Sequence, residues 1–509
     1  MFRMIQYNAV ASLQCNRRIH PLLAALAIGF FAVSGLSPRV SFSEELAGFA
    51  GPPNVVLIVA DDLGYGELGC YGQSKIKTPA LDSLAKDGMK FTHFYSGNAV
   101  CAPSRCCLMT GMHPGHAYIR NNGSVKSAPE EKAKFGWEFP GQNPIPDEIQ
   151  TLAESFKKQG YATAAMGKWG LGHFGTSGDP NRQGFDLFFG FNCQVHAHNH
   201  YPKFLWRNDV KEIQPGNQRE LSGATYSQDS FVSEGIAFIE SNRERPFFLF
   251  LPFAVPHLSI QVPDESVIPY QEEIEEAPYK HTVYLEHPSP RAGYAAMVTR
   301  MDQGIQRILD RLDELELADN TIVLFTSDNG PTYNRLGGAD SDFFESTAGL
   351  RGRKGSLYEG GIRVPLIVRW PERVAPGETS DVPAAFWDLM PTLVDMCGGD
   401  IPRGLDGVSL ASILDGSSGR VERDYLYWEF PAYGGQQAIR FGGWKAIRTN
   451  LLSKDKAKIG EWELYDLESD PREQHDVAAD HPDLLKQVRQ WSQEARTTST
   501  LFPFPILDQ

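Results

Sequence analysis

From residue 54 onward, short β-branched or aromatic runs alternate with amphipathic stretches, and this alternation confines the chain to an α/β architecture with a mostly parallel central sheet. The runs fall at 55–60, 161–166, 247–253, 321–326 and 364–368. The spacing predicts a helix over 79–86, with Thr78 as its cap and Pro79 in the first helical position. Another is predicted over 294–315, where Met297, Met301, Ile305, Ile308 and Leu312 share one face. A helix is expected at 386–396, after which Gly398, Gly399 and Pro402 form a linker. Beyond it, 425–429, 437–441, 444–448 and 463–466 read as short antiparallel strands, closed by a helix over 482–491. The expected organisation is a leader at 1–43, a large catalytic α/β domain at 52–398 and a small α+β C-terminal subdomain at 400–509.

The leader has a composition of its own. Arg17 and Arg18 precede an apolar run over 22–33, and small or polar residues follow at Ser34, Gly35, Ser37 and Ser43. This is the layout of a secretory signal. The run is shorter than the ~20 apolar residues that span a bilayer, so export to the periplasm or the extracellular space is expected, with no stable membrane insertion. A net charge of -15 argues against a nucleic-acid partner, whose binding needs a basic face, and suits a protein that holds a hard cation. Of seven cysteines, Cys15 lies in the leader and Cys101 is reserved for chemistry, so an odd number remains and at least one thiol stays free.

Asp61 and Asp62 directly follow the first apolar run, which places two carboxylates at the carboxyl end of a buried strand, where ligands bind in open α/β sheets. Adjacent buried carboxylates repel unless a cation neutralises them. Asp328 and Asn329 follow the run at 321–326 in the same way. These four side chains supply oxygen and neither imidazole nor thiolate, a set that fits one Ca²⁺ per chain better than zinc, Ca²⁺ being preferred to Mg²⁺ because it tolerates an irregular cage.

The segment Cys101-Ala102-Pro103-Ser104-Arg105, continued by Leu108, Thr110 and Gly111, resembles the signature of the sulfatase family, whose cysteine is oxidised after translation to formylglycine. Further elements similar to the family's follow in order: Gly167-Lys168-Trp169-Gly170-Leu171-Gly172, then Pro256-His257, then Gly352-Arg353-Lys354-Gly355 ahead of Tyr358-Glu359-Gly360-Gly361. The resemblance implies an alkaline-phosphatase-like fold, a mostly parallel mixed sheet flanked by helices, and Ca²⁺ bound by Asp61, Asp62, Cys101, Asp328 and Asn329. It also implies a formylglycine-generating enzyme as maturation partner. Cys101, Arg105, Lys168, His257 and Lys354 are the catalytic residues it points to. Two positions depart from the pattern: Met112 replaces an Arg that supports recognition by the modifying enzyme, and Gly170 replaces a His that contacts the formylglycine hydroxyls. His116 and His173 are the candidates to fill the second gap.

The resemblance implies that one hydroxyl of an aldehyde hydrate attacks sulfur and the other expels sulfate. Arg105 is expected to hold the hydrate, Lys168 the sulfate oxygens, and His257 with Lys354 to protonate the leaving alcohol. Three carboxylates and one divalent ion carry a formal charge of about -1, so these cations are needed before the pocket attracts an anion. For the substrate, a sulfated glycan is expected ahead of a small aryl sulfate, with Arg120, Asn121, His196 and His198 as candidate contacts. Two other readings stand beside this one: a phosphodiesterase or phosphonate monoester hydrolase on the same fold, and a non-catalytic glycan-binding protein with an unmodified Cys101.

Overall fold

The computed structural model describes residues 51–123, 141–371 and 373–508. The expected leader lies outside them. The main sheet contains β1 (Asn54–Ala60), β2 (Met89–Phe91), β3 (Ala162–Lys168), β4 (Leu187–Phe191), β5 (Phe204–Arg207), β6 (Val210–Ile213), β7 (Phe247–Pro252), β8 (Thr321–Ser327), β9 (Leu366–Arg369) and β10 (Glu378–Ser380). Their spatial order is β10-β2-β9-β8-β1-β7-β3-β4-β5-β6. Neighbours from β8 through β1, β7 and β3 to β4 are parallel, while β9 and β5 join this centre antiparallel.

β1 is buried at every position because helices cover both faces, and a strand in that setting is apolar throughout rather than alternating. Val55, Leu57 and Val59 join one core, while Val56, Ile58 and Ala60 join the other, as the two-residue period of a strand requires. The helices that matter here are α1 (Pro79–Lys86), α2 (Cys101–Thr110), α3 (Pro290–Glu314), α4 (Phe386–Met396) and α5 (Pro482–Glu494). α3 begins earlier than its apolar stripe predicts, with Pro290 in the first turn.

Thr78 precedes α1 but does not cap it. Its hydroxyl donates to Asp82 at 3.2 Å and accepts from the Gly69 amide at 2.9 Å. The free amides of Ala80 and Leu81 donate instead to the Asp302 carboxylate of α3, at 3.0 and 2.8 Å. A cap from another helix leaves no local sequence signal.

Four further strands, β11 (Leu426–Phe430), β12 (Gln436–Phe441), β13 (Trp444–Arg448) and β14 (Glu463–Asp466), form an antiparallel sheet in that order. Leu426, Trp428, Phe430 and Tyr465 share a core with α2 and α4 of the large sheet. A buried charge cluster also ties the two sheets together. Lys445 of β13 donates to Glu359 at 2.9 Å and lies 3.0 Å from Glu473, and Glu359 also accepts the Tyr95 hydroxyl at 2.9 Å. Among the described residues no helix is long and apolar enough to cross a membrane, and the six cysteines present are free thiols.

Candidate active site

The parallel strands deliver their carboxyl ends to one edge, and the charged residues named from sequence gather there. Asp61 and Asp62 follow β1, Asp328 and Asn329 follow β8, and Lys168 ends β3; all are buried. The Asp328 amide donates to the Ala60 carbonyl at 3.0 Å, and the Asp62 amide to Asp328 Oδ1 at 3.2 Å, which locks the two strand ends together.

Each carboxylate has a cation. Lys168 Nζ is 2.5 Å from Asp61, Lys354 Nζ is 2.7 Å from both oxygens of Asp62, and Arg105 reaches Asp328 Oδ2 at 2.9 and 2.8 Å. Burial alone would neutralise Asp61, but the cationic Lys168, Arg105 and Lys354 outweigh it and hold that carboxyl well below the usual range. Burial, aided by Asp61, pushes Asp328 up to about 6 against the pull of Arg105.

Cys101 opens α2 and points into this nest. Its Sγ lies 3.5 Å from Asp61 Oδ1, 3.3 Å from Lys168 Nζ and 3.7 Å from Lys354 Nζ. Burial, with Asp61 beside it, pushes the thiol up to about 12 despite both lysines. A thiol at that value is protonated at neutral pH and is a poor nucleophile. His257 is held well below its ordinary value by burial and by Lys354, so its ring is neutral. Its Nδ1 is 2.7 Å from the Leu258 carbonyl, which places the proton there and leaves Nε2, 3.6 Å from Asp62, as an acceptor.

The nest fits a hard cation. Ligand atoms of Asp61, Asp62, Cys101 and His257 lie within 4.8 Å of one another. Asn329 donates to Asp62 at 2.7 Å and to the Gly330 carbonyl at 2.9 Å, yet its Oδ1 is buried with no partner among the described residues. An acceptor left over in an otherwise bonded nest is what an oxygen-seeking ion would satisfy.

Above Cys101 opens a cleft of about 270 Å³, lined among others by His198, His257, Lys354, Tyr284, Tyr333 and Tyr433. His198 stacks on His257 with ring centres 4.6 Å apart. Tyr433 comes from the turn between β11 and β12 and stacks on Tyr333 at 6.2 Å.

Three expected substrate contacts are corrected. Arg120 is buried and its guanidinium is taken by Glu429 at 2.6 Å and the Thr497 carbonyl at 2.8 Å, since a buried cation needs a partner. His196 packs its ring against Phe191 and Phe204 and does not line the cleft. Asn121 accepts the Asn122 amide within its own turn, and it is Asn122 that reaches the cleft. Arg105, expected to hold the hydrate, is bound to Asp328 and to the Lys168 carbonyl, so it braces the nest.

Neither histidine proposed for the Gly170 gap fills it. His173 packs against Trp206 and Phe174 and does not line the cleft. His116 Nδ1 sits 2.9 Å from Asp406, with His113 Nε2 3.6 Å from the same carboxylate. The two rings are stacked with centres 4.6 Å apart, and the His113 amide donates to Asp406 at 3.0 Å, so the carboxylate ties both histidines into one turn. The space at Gly170 belongs to Gln194: a Cβ there would lie 2.1 Å from Gln194 Nε2.

Residues 53–399 match the family described as Sulfatase, and residues 353–497 match N-sulphoglucosamine sulphohydrolase, C-terminal. The chain belongs to the sulfatase family. It is 31% identical to human "Arylsulfatase A" over 508 residues, covering 89% of this chain and 90% of that one. It is 32% identical to human "N-acetylgalactosamine-6-sulfatase" over 418 residues, covering 78% and 73%. The crystal structure of Ps i-CgsB superposes with a TM-score of 0.73 at 27% identity, covering 87% of this chain and 93% of that one, and a second structure of it holds k-i-k-neocarrahexaose. This sulfatase is accordingly a sulfuric ester hydrolase with the alkaline-phosphatase-like fold, and its two sheets are the large and small parts expected from the sequence.

Proposed function

We propose that this sulfatase cleaves a sulfate monoester of a carbohydrate, with Cys101 matured to formylglycine as the nucleophile and Ca²⁺ held by Asp61, Asp62, Asp328 and Asn329. The observation that carries the reading is the setting of Cys101, which lies within 3.7 Å of two lysines and an aspartate while its own thiol is kept protonated and inert. A formylglycine hydrate supplies at that position a hydroxyl nucleophile whose product breaks down by carbon–oxygen cleavage. A divalent cation held by Asp61, Asp62, Asp328 and Asn329 would supply Lewis acidity there.

The chain's own groups do the rest. Three carboxylates and three cations cancel in the nest, so a divalent ion would leave it positive and attractive to a sulfate ester. Lys168 and Lys354 face Cys101 and are placed to hold sulfate oxygens. Burial alone would strip the proton from Lys354, but Asp62 keeps it cationic, and it can donate to the departing alkoxide. His257 is neutral at rest and must gain a proton before it can deliver one.

Support for a carbohydrate comes from the sugar-binding relative Ps i-CgsB and from the tyrosines around the cleft. The leader composition supports export to the periplasm or the extracellular space, and the Cys101 signature supports a formylglycine-generating enzyme as maturation partner. Peptide mass spectrometry across Cys101, run beside turnover of an aryl sulfate, a sulfated sugar and matched phosphate mono- and diesters, tests the proposal. An unmodified cysteine in active enzyme, or preference for a phosphoester, would overturn it.

A further inference from the structure

One side of the cleft is lined by carboxamides from Asn122, Gln142 and Gln194. Asn122 is occupied, because its Oδ1 accepts the Ala102 amide at 2.9 Å. The other two are not. Gln142 is 4% exposed and Gln194 5%. The Oε1 of Gln142, and both Oε1 and Nε2 of Gln194, are buried with no partner among the described residues.

An unsatisfied buried polar group costs about 1–3 kcal/mol, and folded proteins leave few of them. Gly170, at φ +84°, leaves open the space that the Gln194 amide occupies, and an ideal Cβ there would lie 2.1 Å from Gln194 Nε2. A buried amide that bonds to nothing in the protein and lines an open cleft is available to bond to a ligand there. Its chemistry says which kind. An amide is neutral and offers one donor group and one acceptor, which a hydroxyl can satisfy together by donating to Oε1 and accepting from Nε2. No carboxylate lines the cleft among the described residues, and its lysine, Lys354, is already bound to Asp62.

We propose that Gln194 and Gln142 form a subsite for hydroxyl groups of the leaving alcohol, so that the preferred substrate is a sulfated sugar ring with a free, uncharged hydroxyl near the ester. This rests on the sulfatase reading above and adds to it the feature of the alcohol that is recognised. A site built to hydrogen-bond a hydroxyl rejects an analogue that lacks it far more strongly than an apolar pocket rejects a shape change.

The test measures kcat/KM on formylglycine-bearing enzyme with 4-nitrophenyl sulfate, a panel of hexose monosulfates, and the deoxy analogue of the best hexose lacking the neighbouring hydroxyl. Gln194→Ala is expected to lower kcat/KM for the hexose sulfate by about 10- to 100-fold, the loss of one or two hydrogen bonds, while 4-nitrophenyl sulfate changes by less than about 3-fold. The deoxy sugar should be poor with the parent enzyme and no worse with the variant. Gln142→Ala, on the other amide, should show the same selectivity if Gln194→Ala folds badly. Equal loss on both substrates would place the amide on the sulfate group or in the scaffold and overturn the subsite, as would no loss on either. Failure of the parent enzyme to cleave any sulfate ester, with formylglycine present, would sink the sulfatase reading itself.

Discussion

Two of the buried charge clusters in this molecule differ in a way that separates chemistry from architecture. Around Cys101, three carboxylates face three cations beside an open cleft that Cys101 and Lys354 line, and an acceptor on Asn329 has no partner. Around Lys445, Glu359 and Glu473 flank one ammonium group between the two sheets, and none of the three lines the cleft. Burial and charge are common to both, so neither marks a catalytic site. What marks it is access from the cleft and an inert thiol among lysines.

The largest effect expected comes from the nest. Cys101→Ala should abolish turnover, a loss on the order of 10⁴-fold or more for removal of a nucleophile, while the melting temperature barely moves. Activity surviving in that variant would erase the contrast between the clusters. Chelation with EDTA, or Asp328→Ala, should cost bound metal and turnover together, on the order of 10²-fold or more, with Ca²⁺ restoring the chelated enzyme better than Mg²⁺; metal analysis beside the assay checks it, and full activity in metal-free protein would refute it.

The joint should respond in stability instead. Lys445→Met leaves buried Glu473 without its cation and Glu359 with Arg363 at 3.5 Å, and should destabilise by about 3–5 kcal/mol in denaturant unfolding, with kcat of the folded fraction unchanged.

The smallest effect is a pH dependence. Burial pushes Glu473 from 4.5 up to about 7, with Lys445 opposing and Glu359 adding. A carboxyl raised in the folded state binds its proton more tightly there than when unfolded, so its contribution is complete below pH 4.5 and is lost as pH rises towards 7. Melting temperature should therefore fall less between pH 5 and 8 in Glu473→Gln than in the parent; parallel curves would show that Glu473 is ionised throughout.

How much of this could be read from the sequence follows from the range of the interactions. Asp61, Asp62, Asp328 and Asn329 sit directly after apolar runs, and a buried parallel strand delivers whatever follows it to the ligand edge, so those residues were legible. Cys101, Lys168, His257 and Lys354 were legible as family elements in order. Arg120 misled because its partner, Glu429, comes from the other sheet. Gln194 lies two residues before the candidate His196, yet its place beside Gly170 is visible only in three dimensions. Thr78 looked like a cap because nothing nearby in the chain announces Asp302.

Tyr433 has a consequence of its own. The cleft borrows part of its rim from a hairpin turn of the small sheet, while Cys101, His257 and Lys354 come from a helix and loops before residue 400. Rewriting a handful of positions in that turn changes what can dock without disturbing the machinery beneath, so this architecture lets selectivity drift independently of rate.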